Sequence, residues 1–207
     1  MIQLDNAVKR YNNMILGFLY DHDIDCWLAG GSLRDYFMGI PITTDYDLFF
    51  PNQKEFDKAQ KLFKENDCEV KWESENGMKV VYENRTYDLV KKFFDDPQKT
   101  IDAFDFTVSM FAVDGDKMYY GETTFIDLAK RQLMINKITY PASTLNRAFK
   151  YHKKGFSICL GETKKIIDSI RNMSTNETKQ NKNDENIDGL IESSSGDELL
   201  DFFAGID

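Results

Sequence analysis

Histidine, cysteine and long apolar runs are all scarce in this chain. Its two histidines, His22 and His152, are too isolated to support histidine-based catalysis, and His152 reads as a packing residue or a phosphate contact. The three cysteines, Cys26, Cys68 and Cys159, are odd in number, unclustered and set among apolar residues. They form no disulfide framework and read as reduced core thiols of a cytosolic protein. No apolar run approaches about 18 residues, and the N-terminus lacks a basic-then-apolar signal, so neither a membrane span nor secretion is indicated and a cytoplasmic location is expected. No internal repeat is apparent. What is present is a real core: 42% of the 207 residues are hydrophobic, with sixteen Phe and ten Tyr. That suffices for one well-buried domain with room for a small helical appendage.

The formal charge of −9 argues against a polyanion-handling protein until it is divided along the chain. Residues 174–207 carry two lysines against nine acids, a net of −7, which leaves the body near neutrality at −2. Within the body, Arg147 to Arg171 holds seven Lys/Arg against Glu162 and Asp168, a local +5 able to hold phosphates or a nucleic-acid end. From Ser174 the composition turns to Ser, Thr, Asn, Glu, Lys and Gln, which cannot bury enough apolar surface to offset chain entropy and predicts disorder. The acidic-apolar tip, with Leu199, Leu200, Phe202 and Phe203, reads as a fraying end, a short helix for a protein partner, or a cover for the basic stripe.

The most informative stretch is Gly30-Gly31-Ser32-Leu33-Arg34-Asp35, followed ten residues later by Asp45-Tyr46-Asp47-Leu48. Cys26 to Ala29 reads as a buried strand and Leu33 to Met38 as the first turns of a helix, so the glycines sit at a strand-to-helix turn. Such a turn presents N–H groups to an anion. Glycine allows close approach and positive φ, Ser32 suits an N-cap, and Arg34 adds a forked cation for phosphate oxygens. Asp45 and Asp47 lie two apart on a strand and leave the same face. Their repulsion is relieved by a divalent cation between them, and Mg²⁺, which takes oxygen ligands and leaves room for substrate phosphates, suits them. Asp88, in Arg85-Thr86-Tyr87-Asp88-Leu89-Val90, is a third candidate if its strand lies alongside; it otherwise faces solvent.

The run GGSLRDYFMGIPITTDYDLFF resembles the head of the DNA polymerase β-like nucleotidyltransferases, most closely tRNA CCA-adding enzymes and bacterial poly(A) polymerases, whose signature is GG-x-x-RD, a loop, then D-x-D. The resemblance implies that Gly31 and Arg34 bind a nucleoside triphosphate, ATP or CTP, and that Asp45 and Asp47 hold two catalytic Mg²⁺ ions; Gly30 and Ser32 join the phosphate site, and Asp88 the metal site, on the reading of the turn and the strands given above. Downstream, Phe104 to Ala112 is similar to the family's RRDFTINALA, with Asp105 and Thr107 matched and both arginines replaced by Ala103 and Phe104. There Asp105 would contact the ribose, or else be structural. Arg147-Ala148-Phe149-Lys150-Tyr151 is similar to the neck helix, which places Arg147 and Lys150 near the nucleotide. The base-selecting EDxxR would fall on Tyr140 to Thr144 and is absent. The similarity spans about residues 24 to 157, so the long helical tRNA-binding body is not represented.

The implied architecture is a mixed α/β (α+β) nucleotidyltransferase head over 1–140, a helical neck over 141–173 and a disordered acidic tail over 174–207. Helices are predicted over Asp5–Tyr20, from Arg34, over Gln53–Asn66 with a cap near Asn52, and at 142–154 and 162–172. Strands are predicted at Trp27, at the Asp45/Asp47 pair, at 70–72, 79–82 and 86–91, and as a hairpin of 107–113 with 117–120. The implied chemistry is transfer of a nucleoside monophosphate to a hydroxyl, with an RNA 3′ end as first acceptor and a protein or small molecule as the alternative. A non-catalytic nucleotide- or RNA-binding descendant is the third reading.

Overall fold

A computed structural model describes residues 2–3, 6–41 and 45–176. Expectations placed on the acidic tail from residue 177, including its apolar tip, and on Asp5 lie outside the described residues. The chain divides into two compact units, one running to Phe104 and including Ser109–Thr124, the other made of Asp105–Val108 and the described residues from Phe125 on.

The elements of the first unit are β1 (Ile2–Gln3), α1 (Asn6–Tyr20), β2 (Trp27–Ala29), α2 (Gly31–Phe37), β3 (Tyr46–Phe49), α3 (Gln53–Glu65), β4 (Glu69–Ser74), β5 (Gly77–Tyr82), β6 (Arg85–Val90), α4 (Pro97–Asp102), β7 (Phe111–Asp114) and β8 (Lys117–Tyr120). They build one mixed sheet in the order β1-β8-β7-β2-β3-β6-β5-β4. Only the β3–β6 pair is parallel; the others run antiparallel. Alternation along the strands divides the side chains cleanly between two faces. On one face Leu28, Leu48, Met78, Val80, Tyr87 and Leu89 are buried. There the ring of Phe18 on α1 stacks on Tyr82 and that of Phe63 on α3 meets Tyr82 edge-on, and Phe63 also meets Tyr87. On the other face Trp27, Ala29, Phe49 and Ala112 pack against Ile101 of α4, and the Trp27 indole N–H donates to Thr100 Oγ1 at 3.0 Å. That second cover is short, and the remainder of this face carries the polar residues described below.

Local chemistry explains most boundaries. Asn52 caps α3, its side-chain oxygen accepting the Glu55 N–H at 3.1 Å, as the sequence predicts. Glu83 and Asn84 both take positive φ, 48° and 59°, which is the two-residue turn whose twist suits a tight hairpin between β5 and β6. Helix α4 is absent from the sequence reading, although Asp96 caps it and Pro97 opens it, the standard start signals.

The second unit contains α5 (Thr124–Lys130), β9 (Gln132–Leu133), α6 (Pro141–Lys153), β10 (Ser157–Ile158) and α7 (Leu160–Asn176), with β9 and β10 paired in parallel. Phe106, Leu133, Ala148, Phe156, Ile158 and Ile166 are buried in it. Tyr151 meets both Phe106 and Phe156 edge-on. Glu162, also buried, accepts the Ile135 N–H at 2.9 Å. The expected strand over 107–113 is corrected here: Thr107–Ser109 forms a 3₁₀ turn and the strand begins at Phe111. The reason is tertiary, because the Thr107 N–H donates to the Met134 carbonyl at 3.0 Å and its hydroxyl to Asp127 at 2.7 Å. Among the described residues no helix is long and apolar enough to cross a membrane.

Candidate active site

Strand register does the assembling. Asp47 of β3 lies directly opposite Asp88 of β6, and Asp88 lies directly opposite Lys79 of β5. Opposed residues point to the same face, so Asp47, Asp88 and Lys79 form a row across three strands. Asp45, just before β3, joins them: the Lys79 ammonium is hydrogen-bonded to its carboxylate and lies 3.5 Å from Asp88 Oδ2. Lys79 is a residue the sequence reading missed. Its signal was there, as the one charge in the apolar run Met78-Lys79-Val80-Val81.

The electrostatics show what the patch wants. Burial, the largest influence, pushes Asp88 above the usual carboxylate range; Lys79 draws it back, and Asp45 adds to the rise. The Lys79 ammonium is held above its ordinary value, chiefly by its hydrogen bond to Asp45. Three carboxylates against one ammonium leave an excess of negative charge on hard oxygen donors, the donor chemistry that fits Mg²⁺. Among the described residues no three Asp, Glu, His or Cys side chains are arranged as a closed metal site. The carboxylates share a face, and Lys79 holds two of them.

Lys79→Met is therefore expected to lower stability at neutral pH by about 1 kcal/mol, between the values for exposed and buried ion pairs. That corresponds to roughly 2–4 °C in melting temperature. Added Mg²⁺ should raise the melting temperature more in the variant than in the parent. Equal shifts in thermal melts would show that Lys79 and the metal do not compete.

The Gly30-Gly31 turn stands beside this row. Gly30 caps α2 with φ 88° and ψ −136°, and its N–H donates to the Phe111 carbonyl at 2.9 Å. A Cβ on Gly30 would sit 3.4 Å from Asp47 Oδ2 and 3.8 Å from the Phe104 ring. Ser32 is not the N-cap: that position belongs to Gly30 and carries no side-chain bond. Ser32 is buried inside the first turn, and neither its hydroxyl nor that of buried Tyr11 meets ordinary hydrogen-bond geometry. Arg34 is 2% exposed, its guanidinium forked onto Asp35 at 2.7 and 2.5 Å. It also lies 3.5 Å from where a Gly31 Cβ would be, so its charge supports the turn from behind.

The remaining sequence-predicted residues gather in the second unit around Asp105. The buried Asp105 carboxylate accepts from Thr144 Oγ1 at 3.0 Å and pairs with Arg147. Its backbone carbonyl accepts the N–H groups of Asn136 and Lys137 at 2.7 and 3.2 Å. Of the two roles open for Asp105, the structural one is what these contacts describe: it ties the start of the 3₁₀ turn to α6. Arg147 remains half exposed, and Lys150 is exposed one turn further along α6.

A profile of Gabija anti-defense 2 family proteins matches residues 3–131, which includes the whole carboxylate row and the Gly30-Gly31 turn. The chain belongs to that family. No curated protein sequence matches it significantly. Solved structures do. The Thermotoga maritima CCA-adding enzyme complexed with tRNA superposes with a TM-score of 0.60 at 14% identity, over 97% of this chain and 47% of that one. The Bacillus stearothermophilus CCA-adding enzyme in complex with CTP gives 0.57 at 16%, over 79% and 43%. A tRNA-processing enzyme in an apo form gives 0.59 at 12%, over 98% and 53%. The chain thus spans about half the length of these enzymes and shares their fold. This Gabija anti-defense 2 family member thus has the fold of CCA-adding enzymes, the fold class that its motif led one to expect.

Proposed function

We propose that this chain is a Mg²⁺-dependent nucleotidyltransferase that moves a nucleoside monophosphate from an NTP, ATP or CTP, to a hydroxyl acceptor, an RNA 3′ end in the first instance: the acceptor oxygen bonds to the α-phosphorus and gives up its proton, and the α–β phosphoanhydride bond breaks to release pyrophosphate. The observation that carries this reading is the register of Asp47 against Asp88 across the parallel β3–β6 pair, with Asp45 beside them and the Gly30-Gly31 turn adjoining. Asp45, Asp47 and Asp88 would hold the two Mg²⁺ ions, which when bound neutralise triphosphate charge and lower the pKa of an acceptor hydroxyl. Gly30 keeps the space beside Asp47 free of side chain, so a phosphate can approach the backbone there. Arg34 stiffens that turn through Asp35 and adds positive field beneath it. Lys79 keeps Asp45 and Asp88 from repelling each other before substrate arrives. Positioning and charge neutralisation supply most of the rate in such a transfer.

The RNA acceptor is supported by the CCA-adding enzymes that share the fold, among them structures complexed with tRNA and CTP. The family match favours a second acceptor class, because a family named for countering a defence called Gabija has reason to modify a protein of that defence. Without EDxxR, base choice should be looser than in CCA addition.

The test is to incubate the full chain with each α-labelled NTP, Mg²⁺ and either RNA or a lysate containing the defence. Ribonuclease-sensitive label supports the RNA acceptor and protease-sensitive label the protein acceptor. No label from any NTP overturns the transferase reading.

A further inference from the structure

Beyond Lys79 the row across the open face continues to the sheet edge. In β4, Trp72 lies directly opposite Lys79, so the sequence of opposed residues from β3 outward is Asp47, Asp88, Lys79, Trp72. Trp72 stands there because of an irregularity. Glu69 and Val70 pair with Val81 and Val80, but the register then shifts by one residue at Lys71, and Trp72 pairs with Lys79 instead of Met78.

Without that bulge Trp72 would turn to the face of Met78, which is fully buried, and Glu73 would turn to the open one. The bulge reverses both. Glu73 goes to the side of α3, where it takes hydrogen bonds from Gln60 and Lys64 at 2.8 and 3.0 Å, and the tryptophan is displayed 40% exposed beside the carboxylate row. Bulges re-aim side chains next to functional sites. Here the outcome runs against hydrophobic patterning, with an apolar indole on the open side and a carboxylate on the helix-covered one, the kind of local rule-breaking expected where function decides.

We propose that Trp72 is a stacking platform for a nucleobase of a single-stranded RNA acceptor, whose reacting 3′ end lies at Asp88. This rests on the RNA-acceptor form of the function proposed above. Two strand spacings separate β6 from β4, about 10 Å at ~4.8 Å each. At a rise of ~3.4 Å per stacked nucleotide that reaches a base about three positions from the reacting end. Stacking accepts any base, since every base has a π-face, which suits a chain lacking the family's base-selecting motif.

Tryptophan fluorescence tests this directly. The chain has two tryptophans, and Trp27 is buried and bonded to Thr100, so quenching by a ligand reports Trp72. The full-length Asp47→Asn variant, in which turnover is expected to be lost, is titrated with a short single-stranded oligoadenylate bearing a free 3′ hydroxyl. Expected are quenching and, on adding Trp72→Leu, loss of the quench with binding weakened about fivefold or more, measured by anisotropy of labelled RNA. Trp72→Phe should keep most of the affinity. Unchanged RNA affinity in Trp72→Leu overturns the platform. So does quenching by NTP alone without oligonucleotide, which would assign the ring to the incoming nucleotide. Protein-only labelling with no RNA binding overturns the platform and its acceptor while leaving nucleotidyl transfer intact. Quenching and RNA binding in a chain that transfers no label from any NTP supports the platform and overturns the transfer.

Discussion

Asp47→Asn should abolish transfer of labelled nucleotide, a fall of roughly a hundredfold or more, while the melting temperature stays level or rises slightly. The two halves of this result have separate causes. Loss of one carboxylate from the metal-binding face removes several kcal/mol of charge stabilisation, and each ~1.4 kcal/mol is tenfold in rate. The stability change has the opposite sign because Asp47 faces Asp88 across the β3–β6 ladder, and like charges opposed on adjacent strands cost up to about 1 kcal/mol. Undiminished transfer would sink the mechanism. A large loss of stability would show that Asp47 is mainly a structural hydrogen-bond acceptor.

Gly30→Ala and Gly31→Ala should part company, although the residues are neighbours. Gly30 has φ 88° and ψ −136°, a conformation that side-chain-bearing residues rarely adopt, and alanine there should cost about 1–3 kcal/mol. Its new methyl would also fill the space beside Asp47 Oδ2, so transfer should fall by at least about tenfold even at temperatures where the variant is folded. Gly31 is in the first helical turn without positive φ, and the nearest atoms that a Cβ there would meet are those of the Arg34 guanidinium, at ordinary contact distance. Gly31→Ala should therefore keep the parent melting temperature or raise it, since alanine favours the helix. If Gly31→Ala loses transfer while remaining stable, phosphate approach to the backbone is the direct explanation. Equal melting temperatures for both variants would contradict the backbone account of Gly30.

The motif from Gly30 to Asp47 was legible in the sequence because its pieces are local: a strand, a glycine turn, a helix, and two carboxylates spaced by the strand period. The fold class followed from it. The position of Asp88 was legible only as a possibility, because which strand lies beside β3 depends on a crossover, and its register depends on a turn some forty residues downstream. Lys79 and Trp72 were invisible for the same reason. A lysine in an apolar strand says that one face is polar, but not that the face belongs to a row of aspartates. Trp72 is the harder case: alternation alone assigns it to the core, and only the extra residue at Lys71 turns it outward. Arg34 was legible as a forked cation at the turn, but its partner was not: the adjacent Asp35 pairs with it inside the fold, a competition between partners that spacing cannot arbitrate.

The two-residue turn at Glu83-Asn84 carries a consequence for how this site can change over evolutionary time. It is the only link between β5 and β6, and the side-chain period of a strand is two. One residue inserted there, with β6 held in place by β3, would slide β5 by a single step. Lys79 would then point toward the helices and a Met78 or Val80 side chain toward Asp88. The carboxylates would lose their built-in counter-charge without any of the four charged residues being mutated. Drift in this hairpin is therefore restricted to substitutions and to changes by even numbers of residues, whereas the neighbouring turn at 75–76 sets the register of β4 and so bears on Trp72 and not on the carboxylates.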